Sequence, residues 1–520
     1  MQDSAVTIPP RRSLVLFASL AMFMVFLSYV FMIVLAAVCV YLPWLLLTAA
    51  MNFNTLILFL GGIVVAAVML WSLVPRVDKF EPPGLLLEPD SHPQLFTEIQ
   101  QIAAKLNEPL PREVYLIGDP NAWVADRGGL MGIGSRRVMG LGLPLLAALN
   151  VSQFRAILAH EFAHYYGGDT SLGPWLHRTQ MSMVRTFQNM GSIGQMRLPA
   201  MVAIFYTVVF KLLHWYWLLF LRAINFVSRK QEYRADELAC LVAGQISLIS
   251  GLRGVHASAM AWPPYWKTEV APMLSAGRLP AIADGFAQFL VAPKIAEGVQ
   301  KGLATQIAEA KIDPYDSHPP LRDRITAANQ LSGDPPAEDH RPASTLLSNI
   351  DQAELNFLQA ANPKMPANFL QPVSWEESGP LVLIPSWKES VAAYAEPLAA
   401  QLQGETVANL PKSLGKVPDI AAFMRDPKGM LLTHEQRVQQ ARGLVSTTFA
   451  LALVNHGWNL HSLPGEFYLE KDGHQLQPFQ LTLQFSDGKI ENDAWQGTCA
   501  MYGIADIELM PATAKPQPAE

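Results

Sequence analysis

Residues 151–166 read VSQFRAILAHEFAHYY, and the organisation of the rest of the chain follows from this stretch. Asn150 or Ser152 can cap the start of a helix here, and a glycine pair follows its last residue. Apolar side chains such as Ile157 and Leu158 recur at the spacing of one helix face. We therefore predict a helix over Val151–Tyr166 whose apolar side packs inward.

This helix contains the sequence His160-Glu161-Phe162-Ala163-His164. Positions four apart lie on the same helix face, so both imidazoles can reach a single ion. Glu161 is close enough to activate a water molecule on that ion. Zinc accepts nitrogen and carboxylate ligands, and a catalytic zinc keeps one position open for water. The alternative is a surface helix with an incidental His-Glu-His pattern, which leaves the apolar side and the glycine pair unexplained.

Two histidines leave a third protein ligand to be found. The best candidate is Glu232, in a helical stretch that also contains Asp236. Their spacing points both carboxylates the same way, so one can bind the ion while the other accepts the N–H of a bound histidine. A solvated charged face explains the spacing equally well, because Arg229, Lys230 and Arg234 lie alongside.

The composition indicates lipid contact. Of 520 residues, 50% are hydrophobic and 16% are charged, against a usual charged share of about 25%. Residues 13–75 contain no charged residue. They predict two membrane spans, near residues 14–41 and 55–74, joined by the more polar turn Thr48–Asn54. We expect the lipid bilayer as a partner, and the net charge of -6 gives no reason to expect nucleic acid.

The positive charges indicate the orientation. Arg11 and Arg12 precede the first span, and Arg76 and Lys79 follow the second, whereas the turn has none. The positive-inside rule therefore places both ends, and everything after residue 80, in the cytoplasm. The alternative is a signal anchor that exports the main domain. The three cysteines form no C-x-x-C pair, which argues against cysteine zinc ligation and a disulfide framework.

We expect an α+β fold that is mainly α. The helix Ser91–Glu108 and the strands Glu113–Ile117 and Arg136–Leu141 are predicted near the metal helix. Phe467–Glu470 and Phe479–Phe485 alternate like the strands of hairpins. The expected domains are a transmembrane hairpin (1–80), a zincin-like metallopeptidase domain with a small sheet (81–330), a linker (331–345), an accessory α+β domain (346–510) and a disordered tail (511–520).

The metal helix with the following Gly168-Asp169 resembles that of the HtpX-type and CAAX-prenyl-protease family of integral-membrane zinc peptidases. Four further elements occur in the family's order, and the resemblance covers roughly residues 90–330. They are Asn121-Ala122-Trp123 (the family's Asn-Ala-Phe), the run from Ser135-Arg136-Arg137 through Gly142-Leu143-Pro144 to Ala156–Ala159, Glu232–Asp236 (its Glu-x-x-Ala-Asp), and Ser317–Leu321 with Arg324 (its Thr-His-Pro-Pro).

The resemblance implies one zinc ion per chain, bound by His160, His164 and Glu232. It further implies that Glu161 is the general base and that Asp236 and, by analogy, Asp169 form hydrogen bonds to the metal ligands. His318 is the implied oxyanion donor, and the implied substrate groove comprises Asn121, Ala122 and Trp123. For His318, a loop histidine held by two prolines is an equally good interpretation. Val124-Ala125-Asp126 departs from the small residues usual after the Asn-Ala-Phe element, which puts the shape of the groove in question.

An apolar run, Pro199–Leu221, separates the two histidines from Glu232. Because His164 and Glu232 must meet at one ion, both flanks of the run lie on one side of the membrane. The run is too short for two spans of about 20 residues each. We therefore predict a buried or membrane-lying helix instead of a single span.

The expected function is zinc-dependent endoproteolysis of membrane or misfolded polypeptides, at the inner (plasma) membrane of a bacterium. One alternative is a non-proteolytic zinc-binding assembly or chaperone-like factor that uses the same cleft. Glu161 disfavours it, because a binding-only site needs no general base. A processing peptidase for prenylated proteins would require more spans than this chain contains. The sequence does not indicate the oligomeric state.

Overall fold

The fold is taken from a computed structural model, which describes residues 12–74, 76–129, 134–166, 173–195, 198–331, 337–366, 368–425 and 431–510. Three predictions lie outside these residues. They are the glycine pair after the metal helix, the role of Asp169 and the tail 511–520. The chain is mainly helical with small sheets, which confirms the predicted fold class.

Two apolar helices, α1 (Arg12–Ala49) and α2 (Phe53–Leu73), form the expected hairpin. The polar turn between them is fixed by Asn52, whose side chain accepts a hydrogen bond from the Thr55 backbone N–H at 3.1 Å. The Thr55 hydroxyl accepts the Asn52 backbone N–H in return, also at 3.1 Å. Both helices are long and apolar enough to cross a membrane.

The four-stranded sheet comprises β1 (Leu85–Leu87), β2 (Glu113–Ile117), β3 (Ala122–Arg127) and β4 (Arg136–Gly142), in the order β1-β2-β4-β3. β2 and β4 pair in parallel, which confirms the two predicted strands. β3 pairs antiparallel with β4 and lies at the edge. Gly140 of β4 permits this pairing, because a β-carbon there would lie 2.5 Å from the Trp123 ring.

Helix α3 (Pro93–Lys105) is the predicted helix after β1, and α4 (Leu143–Ala148) follows β4. The metal helix α5 runs over Val151–Ala163. Asn150 caps it, since its side chain accepts the Gln153 backbone N–H at 2.8 Å. The buried residues of α5 include Phe154, Leu158 and Phe162, so the predicted apolar side does face the core.

After α5 the chain forms two antiparallel helices, α6 (Gly173–Gly194) and α7 (Ala200–Ala243). The Tyr206 hydroxyl donates to the Met190 carbonyl at 2.6 Å. The Phe187 and Phe210 rings, 5.6 Å apart, continue the contact. One helix therefore leads away from α5 and the other returns to the same end.

The apolar half of α7 packs along the α1–α2 hairpin. Tyr216 stacks on Phe31 with ring centroids 4.0 Å apart, and its hydroxyl is hydrogen-bonded to Ser28 at 2.9 Å. Outward-facing apolar residues such as Ile204 and Trp215 are exposed, as is usual for a surface in contact with lipid.

By length and composition α7 is also able to cross a membrane. The sequence argument required His164 and Glu232 to lie on one side of the membrane. The structure meets this requirement through α6, which leads away from α5 before α7 returns, so the requirement no longer excludes a crossing by residues 199–221. We did not foresee that partner, because α6 carries Arg185, Gln188 and Asn189 and has no continuous apolar run. That residues 199–221 do not span the bilayer stays a prediction.

The chain divides into two compact units, Met1–Met260 with Gly298–Lys364 and Ala261–Glu297 with Met365–Glu520. Residues 261–297, expected in the peptidase domain, thus group with the C-terminal part, and residues 346–364 group with the first unit. The predicted domain boundaries remain a prediction.

The remaining helices are α8 (Gln245–Tyr265), α9 (Ala271–Ser275), α10 (Ile282–Val291), α11 (Pro293–Ala308), α12 (Leu321–Ala328), α13 (Ile350–Ala361), α14 (Ile384–Ala393), α15 (Ala395–Leu402), α16 (Leu410–Leu414), α17 (Val417–Ala421), α18 (His434–Asn455), α19 (Pro478–Ser486) and α20 (Asn492–Tyr502).

The second unit has a short two-stranded pairing, β5 (Arg278–Leu279) with β6 (Gln371–Pro372), and a three-stranded meander. The meander comprises β7 (Asn459–Leu463), β8 (Glu466–Lys471) and β9 (His474–Leu476). β8 contains the predicted strand Phe467–Glu470.

The prediction of a strand over Phe479–Phe485 is wrong, because these residues lie in helix α19. Their apolar alternation is real, but Phe479 and Leu483 are both exposed, one helical turn apart. Thr482 is buried instead, where its hydroxyl contacts that of Ser446 at 2.6 Å. Pro478 at the first turn also favours a helix start.

Replacing Gly62 by alanine should destabilise the hairpin. A β-carbon there would lie 2.1 Å from the Cys39 carbonyl oxygen, so α1 and α2 would have to separate. We expect a loss of about 1–3 kcal/mol, typical of overpacking, measured as thermal unfolding in detergent. Gly191→Ala in α6 is the matched control, because its β-carbon would meet nothing within 4 Å. Equal melting temperatures for the two variants would contradict this packing.

Candidate metal centre

Two helices bring together three side chains able to bind one ion. α5 supplies His160, the residue that caps its end is His164, and α7 supplies Glu232. One potential ligand atom from each lies within 4.8 Å of the other two. The two imidazole rings are 4.9 Å apart and nearly perpendicular. The residues predicted from spacing and resemblance therefore converge in space.

The distances fit a small cation between these side chains. The Glu232 carboxylate oxygens lie 3.3 Å from His160 Nε2 and 3.4 Å from His164 Nε2. Tetrahedral ligands with zinc bonds of about 2.0–2.1 Å are separated by about 3.4 Å. Glu232 Oε2 is buried, and its contacts with His160, His318 and Arg324, at 3.2–3.5 Å, are long for hydrogen bonds between charged groups. A bound cation would satisfy this oxygen, and the two-nitrogen, one-oxygen donor set suits zinc.

Asp236 lies behind the first histidine, one turn along α7 from Glu232. Its Oδ1 is 3.0 Å from His160 Nδ1, so the carboxylate can accept that N–H and leave Nε2 free for a metal. Such a contact fixes the tautomer and the ring orientation of a metal-binding histidine. The alternative of a solvated charged face does not apply, because Glu232 and Asp236 are both buried.

A guanidinium completes the cluster. Arg324 of α12 donates to both oxygens of Asp236, from Nη2 at 2.6 Å and from Nε at 2.9 Å. Its Nη1 is 3.5 Å from Glu232 Oε2. Two buried carboxylates on one helix face require such a compensating charge. Arg324 was part of the resemblance, but we assigned it no role from the sequence. The available signal was an arginine among Leu321, Ile325 and Ala328, the buried apolar face of α12.

The protonation of the metal helix depends on its burial. Burial raises the pKa of Glu161 to about 7. Burial, together with the nearby positive charge of His160, lowers the pKa of His164 to about 4. Burial also opposes charge on His160, but hydrogen bonds to Asp236 and Glu232 outweigh it and raise the pKa of His160 to about 9. Glu161 can therefore take up and release a proton near neutral pH.

His318 lies at the rim of the site. Its Nδ1 is 3.2 Å from Glu232 Oε2, and 62% of its side chain is exposed. The hydrogen bond to Glu232 raises the pKa of His318. Its backbone N–H donates to Asp316 Oδ1 at 2.9 Å, which holds the loop before α12. The structure therefore brings His318 to the cluster, while its part in chemistry stays a prediction.

A cleft of about 420 Å³ opens onto these residues. Asn121 and Ala122 line it, as expected of a substrate groove. The Trp123 ring instead packs against Gly140 and is not among the described residues that line the cleft. The lining residues include Asn121, Ala122, Leu145, Ile157, His160, Glu161, Leu252, Val255, His256, Gln306, His318, Pro319, Leu321 and Arg324.

Comparison with known proteins supports the interpretation of this cluster as the site of a metallopeptidase. Residues 89–332 match the sequence profile of peptidase family M48. A protease HtpX homolog of Prosthecochloris aestuarii is 26% identical over 269 residues, which cover 49% of this chain and 76% of the relative. A protease HtpX homolog of an Arthrobacter species is 26% identical over 267 residues, with 47% and 74% covered. Protease HtpX of Idiomarina loihiensis is 27% identical over 164 residues, with 31% and 55% covered. No solved structure shows a significant match.

The apolar helices and the histidine–glutamate cluster define a membrane-associated metallopeptidase. More specifically, the chain contains a peptidase family M48 domain of the HtpX type, over residues 89–332. It is therefore a protease that acts on polypeptides, as the sequence resemblance implied.

Asp236→Asn should weaken zinc binding about 10- to 100-fold, the usual effect of removing a partner behind a metal-binding histidine. The amide side chain can no longer hold the His160 N–H with a full charge. Competition with a fluorescent zinc chelator would measure the change. Asp323→Asn is the control, because Asp323 pairs with Arg322 on the same helix as Arg324 but outside the cluster. Unchanged zinc affinity in Asp236→Asn would contradict this role.

Proposed function

We propose that this protein is a zinc-dependent endopeptidase of the membrane, with one zinc held by His160, His164 and Glu232. The observation that carries the proposal is the convergence of these three side chains beside Glu161, next to a cleft that His160 and Glu161 line. A zinc ion bound there would lower the pKa of a bound water and polarise the scissile carbonyl.

Glu161 is the proposed general base. Its carboxylate would take the proton of the attacking water and later deliver it to the leaving amine. A base for this task is most effective when its pKa lies near the working pH, and burial brings the pKa of Glu161 to about 7. This residue also separates the protease from the alternative of a zinc-binding chaperone-like factor, which has no use for such a base.

His318 is the proposed donor to the oxyanion of the tetrahedral intermediate. The hydrogen bond to Glu232 favours its protonated form, so the imidazolium can present an N–H to the cleft. Arg324 and Asp236 would act through the ligands. They hold His160 and Glu232 in place and do not contact the substrate. Asp169, which lies outside the described residues, stays a candidate by resemblance for the same supporting role.

The substrate is proposed to bind as an added strand along β3. In this mode the backbone N–H and C=O groups of the peptide form hydrogen bonds with the strand, whatever the side chains of the peptide are. Asn121 holds the start of this strand through two hydrogen bonds. Its carbonyl accepts the Gly142 N–H at 2.9 Å, and its side chain accepts the Ala122 N–H at 2.9 Å. Membrane or misfolded proteins are the proposed substrates. Arg76 and Lys79 after the second apolar helix favour a cytoplasmic peptidase domain at a bacterial inner membrane.

Glu161→Gln should keep one zinc per chain and lose cleavage. The amide preserves the size of the side chain but cannot accept the proton of the water. We expect kcat to fall about 100- to 10,000-fold in casein digestion, with zinc measured by mass spectrometry. Glu237→Gln is the matched control on α7, where Glu237 pairs with Arg234, and it should stay within about twofold of wild type. Cleavage by Glu161→Gln at the wild-type rate would overturn the mechanism.

The pH profile should have an acid limb set by Glu161. The base acts as the carboxylate, so kcat/KM should be full above the pKa and fall about tenfold per pH unit below it. With a pKa of about 7, lowered further by a nearby cation, the limb should lie at or below pH 7. Hydrolysis of a fluorogenic peptide between pH 4.5 and 8.5 measures it. A constant kcat/KM across that range would count against Glu161 as the base.

A further inference from the structure

The edge strand β3 offers its backbone to a substrate at alternate residues only. Asn121 is opposite Gly142 and accepts its N–H, so residues 123, 125 and 127 point their backbone groups toward β4. In an antiparallel pair the intervening residues point the other way. Ala122, Val124 and Asp126 therefore turn their N–H and C=O groups toward the outer edge.

The Tyr165 side chain covers the middle of this outer edge. The Tyr165 hydroxyl donates to the Val124 carbonyl at 3.0 Å. The Asp126 backbone N–H lies near the same hydroxyl. On the Asn121 side of Tyr165, the Ala122 N–H is already bonded to the Asn121 side chain. Among the described residues, none bonds the other two outward groups on that side, the Ala122 carbonyl and the Val124 N–H, which are therefore open to a peptide.

Tyr165 is held firmly in this position. It follows the metal-site residue His164 directly, and its N–H donates to the Phe162 carbonyl at 2.9 Å. The Arg137 guanidinium lies over its ring, 4.0 Å from the centroid. Arg137 is itself fixed by Glu108 at 2.9 Å and by Asp126 at 3.5 Å. The ring is thus anchored both through the metal helix and through the sheet.

We propose that Tyr165 is the end stop of the substrate groove. It limits strand pairing with the substrate to the segment Ala122–Val124, about 7 Å of extended peptide. On that side of the scissile bond the enzyme would engage about two residues through their backbone and exclude a longer strand. This inference rests on the proposed peptidase function, and it explains what the unusual Val124-Ala125-Asp126 segment does. The enzyme would accept short extended segments and would need no long unfolded strand.

The dependence of kcat/KM on peptide length distinguishes an end stop from a tyrosine that only stabilises the fold. Two peptide series share one cleavable core and are extended one residue at a time, toward the N-terminus in one and toward the C-terminus in the other. For zinc-loaded wild type, kcat/KM should level off after about two residues in the series that runs along β3. Tyr165→Ala should continue to gain, about 3- to 10-fold over the next two residues, as new backbone hydrogen bonds form.

Tyr165→Phe is the matched control, because it frees the Val124 carbonyl but keeps the ring, which Arg137 holds across the edge, so the plateau should remain. For each protein, kcat/KM is expressed relative to that of the shortest cleavable peptide, and zinc content is measured alongside, so that a general loss of activity does not enter the comparison. A plateau for Tyr165→Ala at the wild-type length would overturn the proposal. Failure of zinc-loaded wild type to cleave any peptide would instead contradict the peptidase function itself.

A second measurement needs no variant of the protein. Single N-methyl groups placed along the peptide remove one backbone donor at a time. Wild type should be slowed only by methyl groups within about two residues of the scissile bond on the β3 side. Slowing by methyl groups four or five residues away on both sides would show a longer paired strand and exclude the stop.

Discussion

The buried carboxylate of Glu232 between two imidazoles is the interaction on which the remaining structure depends. It joins α5 to α7, although the two histidines and the glutamate are far apart in sequence. Burial of a carboxylate is unfavourable unless positive charge or hydrogen bonds compensate it. Arg324 supplies part of that compensation, and in the proposed function a zinc ion would supply the rest. The same side chains therefore determine both how the helices pack and what the cleft can do.

Arg324 has a second consequence for the fold. Its two hydrogen bonds to Asp236 fix α12 against α7, and His318 lies in the loop that leads into α12. The position of the proposed oxyanion donor is thus determined by the same guanidinium that contacts Asp236 and the proposed ligand Glu232. A guanidinium suits this position because its planar fork can bind both oxygens of one carboxylate.

Helix α7 connects the membrane segment to the metal centre. It has 44 residues, which corresponds to about 66 Å at 1.5 Å per residue. Tyr216 of this helix packs against α1, and Glu232 lies further along it. Because the helix is continuous, it fixes the distance between Glu232 and the part of α7 that packs against the apolar hairpin. Tyr165 follows the proposed ligand His164, and its hydroxyl donates to the Val124 carbonyl at the outer edge of β3. Its hydroxyl fixes the edge strand directly beside the metal helix.

The sequence by itself determined the helical periodicity, the apolar spans, the capped metal helix and the identity of its two histidines and Glu161. These features depend on neighbours along the chain, since a four-residue spacing fixes a helix face wherever the helix lies. Spacing alone could not choose between a ligand and a solvated charge for Glu232, and resemblance was needed. The tertiary structure decided the return leg α6, the helix over Phe479–Phe485, the guanidinium of Arg324 on Asp236 and the cover of β3 by Tyr165. Each of these depends on contacts between segments far apart in sequence, and burial and charge compensation across such contacts override local pattern.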